Sequence, residues 1–543
     1  AGGYRGEANV ATINADSTVT VSKVANPFYG VAYESDIAAA CGDMMDMIIA
    51  YGVDYILQYA KSENKRCVIN LSLGIAIGPH DGKSVLCQFF DECVKQENAI
   101  ICLATGNSGD QKVALNKTFN ADDKEMKTFI SGFDTDFESG KAYARYGNTA
   151  IYSNDDKPFE IQAVMFNKSR GQIAGRYSFT ISDETKGTGK YWISSSEYQQ
   201  STSDIIDRNF GKWFDGYIGI GWDIDPDSNR FYAIVDYMAI NKTANKENNY
   251  EIGFIVTGKE GQRVDAFCDG NYSALSNAGV EGWDDGIYDG SLSDTSTGYK
   301  TLSVGSFNSA SACAKLDGHL YSSSLSMPVG GISNFSSFGT LSDGRSMPDV
   351  CAPGSTIISS TNSYYVAANK WSESEFMASK KEADRENYWD AASGTSMAAP
   401  HVSGAIALWL EADPTLTIDD VKEIVSKTAI KDEYVLAADK AKAGAGKFDA
   451  YEGLKEVLRR TSGINGIEGN SDRLVVTAVG DRTFKAFLAG AEKLDAVVYD
   501  IAGRPVLHTS STGDELTIDV SALSMGVYVF NVNGRYSLRV LVK

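Results

Sequence analysis

The sequence predicts an α/β protein: a parallel sheet with helices on both faces, interrupted by one inserted β-sandwich and followed by a smaller C-terminal one. Three observations carry this. The first hundred residues alternate apolar runs with helical periodicity, as parallel βαβ units do. From about Asp110 to Tyr299 the texture changes to short alternating runs punctuated by turn residues, then returns to α/β at Thr301. The last 71 residues are again strand-like, after the polar stretch Thr461–Asp472.

Taken in order, Ser35–Cys41 (SDIAAAC) reads as a buried strand. A helix follows from about Asp43, with Ile49, Val53, Ile56 and Ala60 on one face. Cys67–Gly74 (CVINLSLG) is a second strand, Lys83–Gln96 a second helix, and Ala99–Gly109 (AIICLATGNSG) a third strand ending in a Gly-containing loop. Sites in such sheets form beyond the carboxyl ends of the strands, where Gly74 and Asn107 fall. Runs such as Phe159–Phe166, Arg230–Ile240 and Asn249–Gly258 mark the antiparallel block. Near the C-terminus Asn533-Gly534 separates two alternating runs, a hairpin signal. The expected divisions are 1–111 with 301–460 for the α/β domain, 112–300 for the inserted sandwich, 461–472 for a linker and 473–543 for the terminal sandwich.

At 543 residues the chain exceeds one core, and its 43% hydrophobic and 11% aromatic content is that of a folded protein. A net charge of −21, spread along the chain, argues against nucleic acid as a partner, because phosphate binding needs clustered Lys and Arg. No apolar stretch has the length of a membrane span. Eight cysteines form no CxxC pair and no cluster with His, so neither a zinc site nor a redox motif is expected. Cys41, Cys67 and Cys102 fall in apolar runs and read as small buried hydrophobes, with disulfides left open. No acidic loop has calcium-ligand spacing, and no cofactor is expected.

The chemistry gathers at Ser393-Gly394-Thr395-Ser396-Met397-Ala398-Ala399-Pro400. Ser396 opens Met397–Ala412, a segment apolar on nearly every face and therefore a buried helix. A hydroxyl there sits in the positive end of the helix dipole beside unpaired N–H groups, which suits a nucleophile whose attack creates an oxyanion. The plain alternative is that Ser396 merely caps the helix.

The string GTSMAAPHVSG resembles the nucleophile signature of the subtilisin-like (subtilase) family. The resemblance covers about residues 25–110 and 301–460. It implies a serine endopeptidase with Ser396 as nucleophile, acting on protein or peptide substrate. TGNSG resembles the segment whose Asn completes the oxyanion hole, which implies that role for Asn107. NLSLG resembles the strand that pairs with substrate, implying Ser72, Leu73 and Gly74 as substrate-binding residues, with Ala104, Thr105 and Gly106 as the opposite wall. Ile332–Ser360 and Gly444–Leu458 are similar to the family's segments on either side of the nucleophile.

The family's His and Asp, which lie in HGTHVAG-like and DTG-like strings, have no counterpart here. Of the four His, His401 lies on the Ser396 helix and His80 in the loop after NLSLG, both at positions where relatives carry non-catalytic residues. His319 lies in a Gly- and Ser-rich stretch and His508 in the terminal block. The expectation is a chain cut just after the catalytic His, inactive alone, with the missing Asp- and His-bearing fragment as a possible partner. The alternative is a non-catalytic pseudoprotease or surface binding module. An α/β-hydrolase is disfavoured, since Ala398 stands where its GxSxG elbow needs Gly. The inserted block resembles the jelly-roll domains of some bacterial subtilases. DIAGRPVL and IDVSALSMGVYVFNV resemble sorting domains of secreted Bacteroidetes-type proteins, implying a bacterial origin and an extracytoplasmic destination.

Overall fold

In the computed structural model of the chain, residues 4–97, 99–137, 142–182, 186, 190–193, 210, 212–241, 249–322, 327–461, 474–480, 482–488 and 490–542 are described. The chain divides into two compact units between Val457 and Leu458. The expected linker lies, past Thr461, outside the described residues.

The first unit is built on four parallel strands in the order Val350–Ser355, Leu302–Asn308, Ile100–Ala104, Val68–Leu71. Ile100–Ala104 is buried along its whole length, as a central strand covered on both faces must be. The helix Thr395–Ala412 packs across all four strands, and the helix Val85–Glu97 packs on Ile100–Ala104 and against Asp46–Ser62. Trp409, Ile406, Phe90, Leu103 and Val304 meet in the resulting core.

Ser35–Cys41, expected as a strand, is not one. The segment has no ladder partner, Cys41 is exposed and Ile37 stands out of the surface. A short apolar run carries no strand by itself, because its backbone N–H and C=O groups still need a neighbour. The first helix consequently starts at Asp46 rather than Asp43. Of the three cysteines read as buried, only Cys102 is; Cys67 is half-buried. A hairpin, Glu7–Ile13 with Val19–Ala25, pairs through Ala378–Glu382 with Arg385–Ala392 and Ile357–Ser360, a second sheet that the βαβ reading did not include.

Between the adjacent parallel strands Ile100–Ala104 and Leu302–Asn308 the described residues form eleven antiparallel strands. Their two ladders share the long strand Glu125–Phe137, whose start pairs with Tyr250–Thr257 and whose end pairs with Ala142–Ser153. Where the strand crosses over, the Tyr237 hydroxyl accepts from Gly132 N and donates to the Ile130 carbonyl, while the same stretch pairs with Ser273–Ser276. Residues from both ladders, among them Ile218, Val235, Ile161 and Phe254, share one core.

The second unit packs a three-stranded sheet and a four-stranded sheet over Phe484, Leu494, Ile518 and Phe530. Its last hairpin turns at Asn533 and Gly534, both with φ in the left-handed region. No described helix is long and apolar enough to cross a membrane.

Candidate active site

The helix Thr395–Ala412 begins after Gly394, which has no side chain to cap it. Its first N–H groups therefore need partners from elsewhere. Thr395 N donates to Asn107 Oδ1 at 2.8 Å, and the Thr395 hydroxyl lies 3.1 Å from both Asn107 Oδ1 and the Gly106 carbonyl. Gly106 N donates back to Thr395 Oγ1 at 3.2 Å. Only an oxygen can accept from a backbone N–H, so the Thr395 contact sets the orientation of the Asn107 amide. Asn107 Nδ2 is then the other end of the amide, and a Cβ on Gly394 would lie 3.5 Å from it and 3.6 Å from Oδ1. No described group accepts from Nδ2, and the Ser396 N–H, in the first turn of the helix, has no intrahelical partner. Two free donors thus stand at the mouth of a helix dipole.

Ser396 Oγ donates to the Ser72 carbonyl at 3.3 Å, while Ser72 Oγ donates to the Ser396 carbonyl at 2.8 Å. Asn70 Nδ2 donates to Ser72 Oγ at 2.9 Å, fixing that hydroxyl as donor to Ser396. The carboxyl end of Val68–Leu71 is thereby laid against the residue predicted as nucleophile.

The other predicted residues divide by role. Gly74 is exposed, and Leu73 packs its side chain partly on the core. Ala104 and Thr105 are buried, the first in the core and the second with N–H and hydroxyl directed at the Val304 carbonyl. They can wall a cleft with backbone only. Gly106 has φ 112°, and a Cβ there would lie 2.9 Å from Ser337 Oγ; both the conformation and the space call for Gly.

Ser293, which no motif singled out, bridges the two walls. Its N–H donates to Thr105 O at 2.7 Å, its hydroxyl to Ile75 O at 3.2 Å, and the following Asp294 N donates to Ile75 O at 2.7 Å. A Cβ on Gly74 would lie 1.8 Å from Ser293 Oγ. Ser293 and Asp294 sit inside SLSDTST, an ordinary-looking loop sequence whose importance comes only from where the chain returns to the sheet. Asp294 is buried, accepts from His80 N at 2.8 Å, and is pushed by burial up to about 6.

None of the four imidazoles hydrogen-bonds Ser396. His401 Nδ1 is engaged by the Met397 carbonyl of its own helix at 2.8 Å, and His80 Nε2 by Ala76 O at 2.9 Å. His319 pairs with Asp317, and His508, in the second unit, with Asp495.

Residues 8–454 match the model described as the subtilase family, and residues 483–541 match the secretion system C-terminal sorting domain. The serine protease AprX of Bacillus subtilis (strain 168) is 40% identical over 96 residues, which is 17% of this chain and 19% of AprX. The chain therefore matches about a fifth of that relative's length. Among solved structures, the CspB protease of Clostridium perfringens shares the fold with a TM-score of 0.54 at 19% identity, over 80% of this chain and 77% of CspB. A Pseudoalteromonas arctica protease aligns over 31% of this chain and 39% of its own, at 21% identity and a TM-score of 0.21. The sorting domain marks the protein as extracytoplasmic, secreted or held at the cell surface. With the family model spanning most of its length, this chain belongs to the subtilase family.

Proposed function

We propose that this chain carries the nucleophile and the oxyanion donors of a secreted serine endopeptidase, and that its general base lies outside it. Ser396 Oγ attacks the scissile carbonyl. The oxyanion is received by Ser396 N–H and Asn107 Nδ2, and the peptide lies along Ser72–Gly74 opposite Ala104–Gly106. The observation that carries this reading is the Thr395 N–H on Asn107 Oδ1, which holds Asn107 at the start of the helix that bears Ser396 and leaves the amide's donor end free.

Attack requires the Ser396 proton to go to a base, and an alcohol without one is a poor nucleophile. Each imidazole of the chain has its hydrogen bond elsewhere, which supports a base and orienting carboxylate supplied by other polypeptide. The same absence favours the second reading, a non-catalytic binding module.

Labelling with a fluorophosphonate separates the two. The chain mixed with a subtilase segment bearing the family's Asp and His should be labelled at Ser396, and Ser396→Ala should abolish the label. Correctly folded mixtures that bind one another yet never label would support the binding module.

A further inference from the structure

The reading above puts the attacked carbonyl at Ser396, with Ser72–Gly74 on one side of the peptide and Ala104–Gly106 on the other. The residue that carries this carbonyl, P1, then has the gap between those two segments to receive its side chain. What stands in that gap decides which side chains can enter.

Ser293 stands there. Its N–H donates to the Thr105 carbonyl at 2.7 Å on one side, and its hydroxyl to the Ile75 carbonyl at 3.2 Å on the other. Asp294 N donates to the same Ile75 carbonyl at 2.7 Å. At this depth the two walls are one residue apart, and spreading them would break these three hydrogen bonds. Ser293 is 6% exposed, and Thr295, whose hydroxyl lies 3.4 Å from that of Ser293, is 1% exposed. The gap is already filled by packed protein, and a packed interior yields little to an added group.

The glycines of the walls show how close this filling comes. A Cβ on Gly74 would lie 1.8 Å from Ser293 Oγ and 3.3 Å from Thr295 Oγ1, so the Ser293 hydroxyl rests directly on that wall. A Cβ on Gly106 would lie 2.9 Å from Ser337 Oγ and 3.5 Å from Ser293 N. Ser337 is itself fixed, its N–H donating to the Gly106 carbonyl at 3.1 Å and its hydroxyl accepting from Ser108 N at 2.9 Å. The gap offers no charge either. The Asp294 carboxyl is taken up by His80 N at 2.8 Å and lies against Gly78, where a Cβ would be 2.3 Å from its Cγ. A lysine or arginine entering between the walls would meet hydroxyls rather than a carboxylate.

We infer that Ser293 is the specificity-determining residue of this cleft, and that by filling the space between its walls it restricts P1 to glycine or alanine. The inference rests on the peptidase reading of Ser396, and it names the class of peptide bond that reading leaves open: bonds that follow a small residue.

The test uses the full chain alone and the full chain joined to a subtilase segment bearing the family's Asp and His. The joined form is given tetrapeptide p-nitroanilides that differ only at P1, which is alanine, leucine, phenylalanine or lysine. The chain alone is titrated with the corresponding tetrapeptide acids, whose carboxylate stands in for the oxyanion. The expected result is a kcat/KM for alanine at least about tenfold above the other three, and the same order in the Kd values of the acids. Ser293→Gly should lower the alanine-to-leucine ratio at least about tenfold in both measurements, and Ser293→Ala, which keeps the Cβ, should lower it by less. A joined form that turns over none of the substrates would overturn the peptidase reading, and the order of the acids would still decide this one. Leucine or phenylalanine matching alanine would overturn the inference, as would a ratio unmoved by both substitutions. Acids that fail to bind at all would overturn it together with the cleft.

Discussion

Ser72 and Ser396 exchange hydrogen bonds, each hydroxyl donating to the other's carbonyl, at 2.8 and 3.3 Å. The strand that would pair with a substrate and the residue that would attack it are therefore held together before any substrate arrives. This reciprocal pair also gives the Ser396 hydroxyl a carbonyl as its partner, and a carbonyl cannot take its proton. The resting serine is positioned but not activated.

In the proposed reading Asn107 has two ends with separate duties, and substitutions can part them. Asn107→Asp keeps an oxygen for Thr395 N–H and loses the donor for an oxyanion. In a complete, active polypeptide it should lower kcat about 10²–10³-fold, the effect of losing one such donor in subtilisin, with KM little changed. Thermal stability should stay near that of the parent. A drop in melting temperature that accounts for the lost rate would instead make Asn107 a purely structural cap.

Gly74 and Ser293 should couple strongly. A methyl group on Gly74 would sit 1.8 Å from Ser293 Oγ and 2.7 Å from its Cβ. Gly74→Ala should cost about 1–3 kcal/mol in urea unfolding, the usual range for overpacking. Adding Ser293→Gly removes both clashing atoms and should recover most of the loss. Additive effects of the two changes would show that the close approach is absent in solution.

Asp294 should make stability fall as pH rises. Its carboxyl is raised by burial from 3.8 to about 6, so the folded state holds a proton that the unfolded chain has given up. The stability it contributes is complete below 3.8 and is lost as pH climbs through about 6. His80 acts in the opposite sense: its pKa is lowered from 6.5 to about 4, so its contribution is lost as pH falls through that interval. The prediction therefore concerns a difference. Chemical unfolding of Asp294→Asn across this window should show a stability that rises with pH more than the parent's does. Parallel curves for the two proteins would contradict it.

The second unit has a core of its own and should fold alone. Residues 474–543 produced in isolation should unfold cooperatively in urea. Phe530, fully buried and packed edge-on against Phe484 at 5.2 Å, is the side chain on which this most depends. Phe530→Ala should cost about 3–5 kcal/mol, enough to unfold a domain of this size. A gradual, non-cooperative transition in the parent fragment would contradict it.

Much of this was legible from residue patterns, for identifiable reasons. Ile100–Ala104 and the helix after Ser396 are apolar on nearly every face, and only burial in a layered α/β core suits such runs. The change to alternating texture after Asp110 marked the antiparallel strands because side-chain period follows backbone geometry. What could not be read depended on partners distant in sequence. Ser35–Cys41 has the composition of a strand but no neighbour to pair with. Glu7–Ile13 joins its sheet through residues near Ala378, and nothing local announces that pairing. Ser293 bridges two cleft walls only because the insert delivers it there.

The central claim is that the chain holds a positioned nucleophile and lacks its base. Peptide hydrolysis should be measured for the chain alone, for the chain joined to a subtilase segment bearing the family's Asp and His, and for the joined form with Ser396→Ala. In subtilisin itself, loss of the His costs about 10⁶-fold in kcat, which sets the scale of the expected contrast. The account predicts turnover in the second protein only. Full activity in the chain alone would contradict it by showing that one of its own residues serves as the base, and an inactive but correctly folded joined form would contradict the assignment of Ser396 as nucleophile.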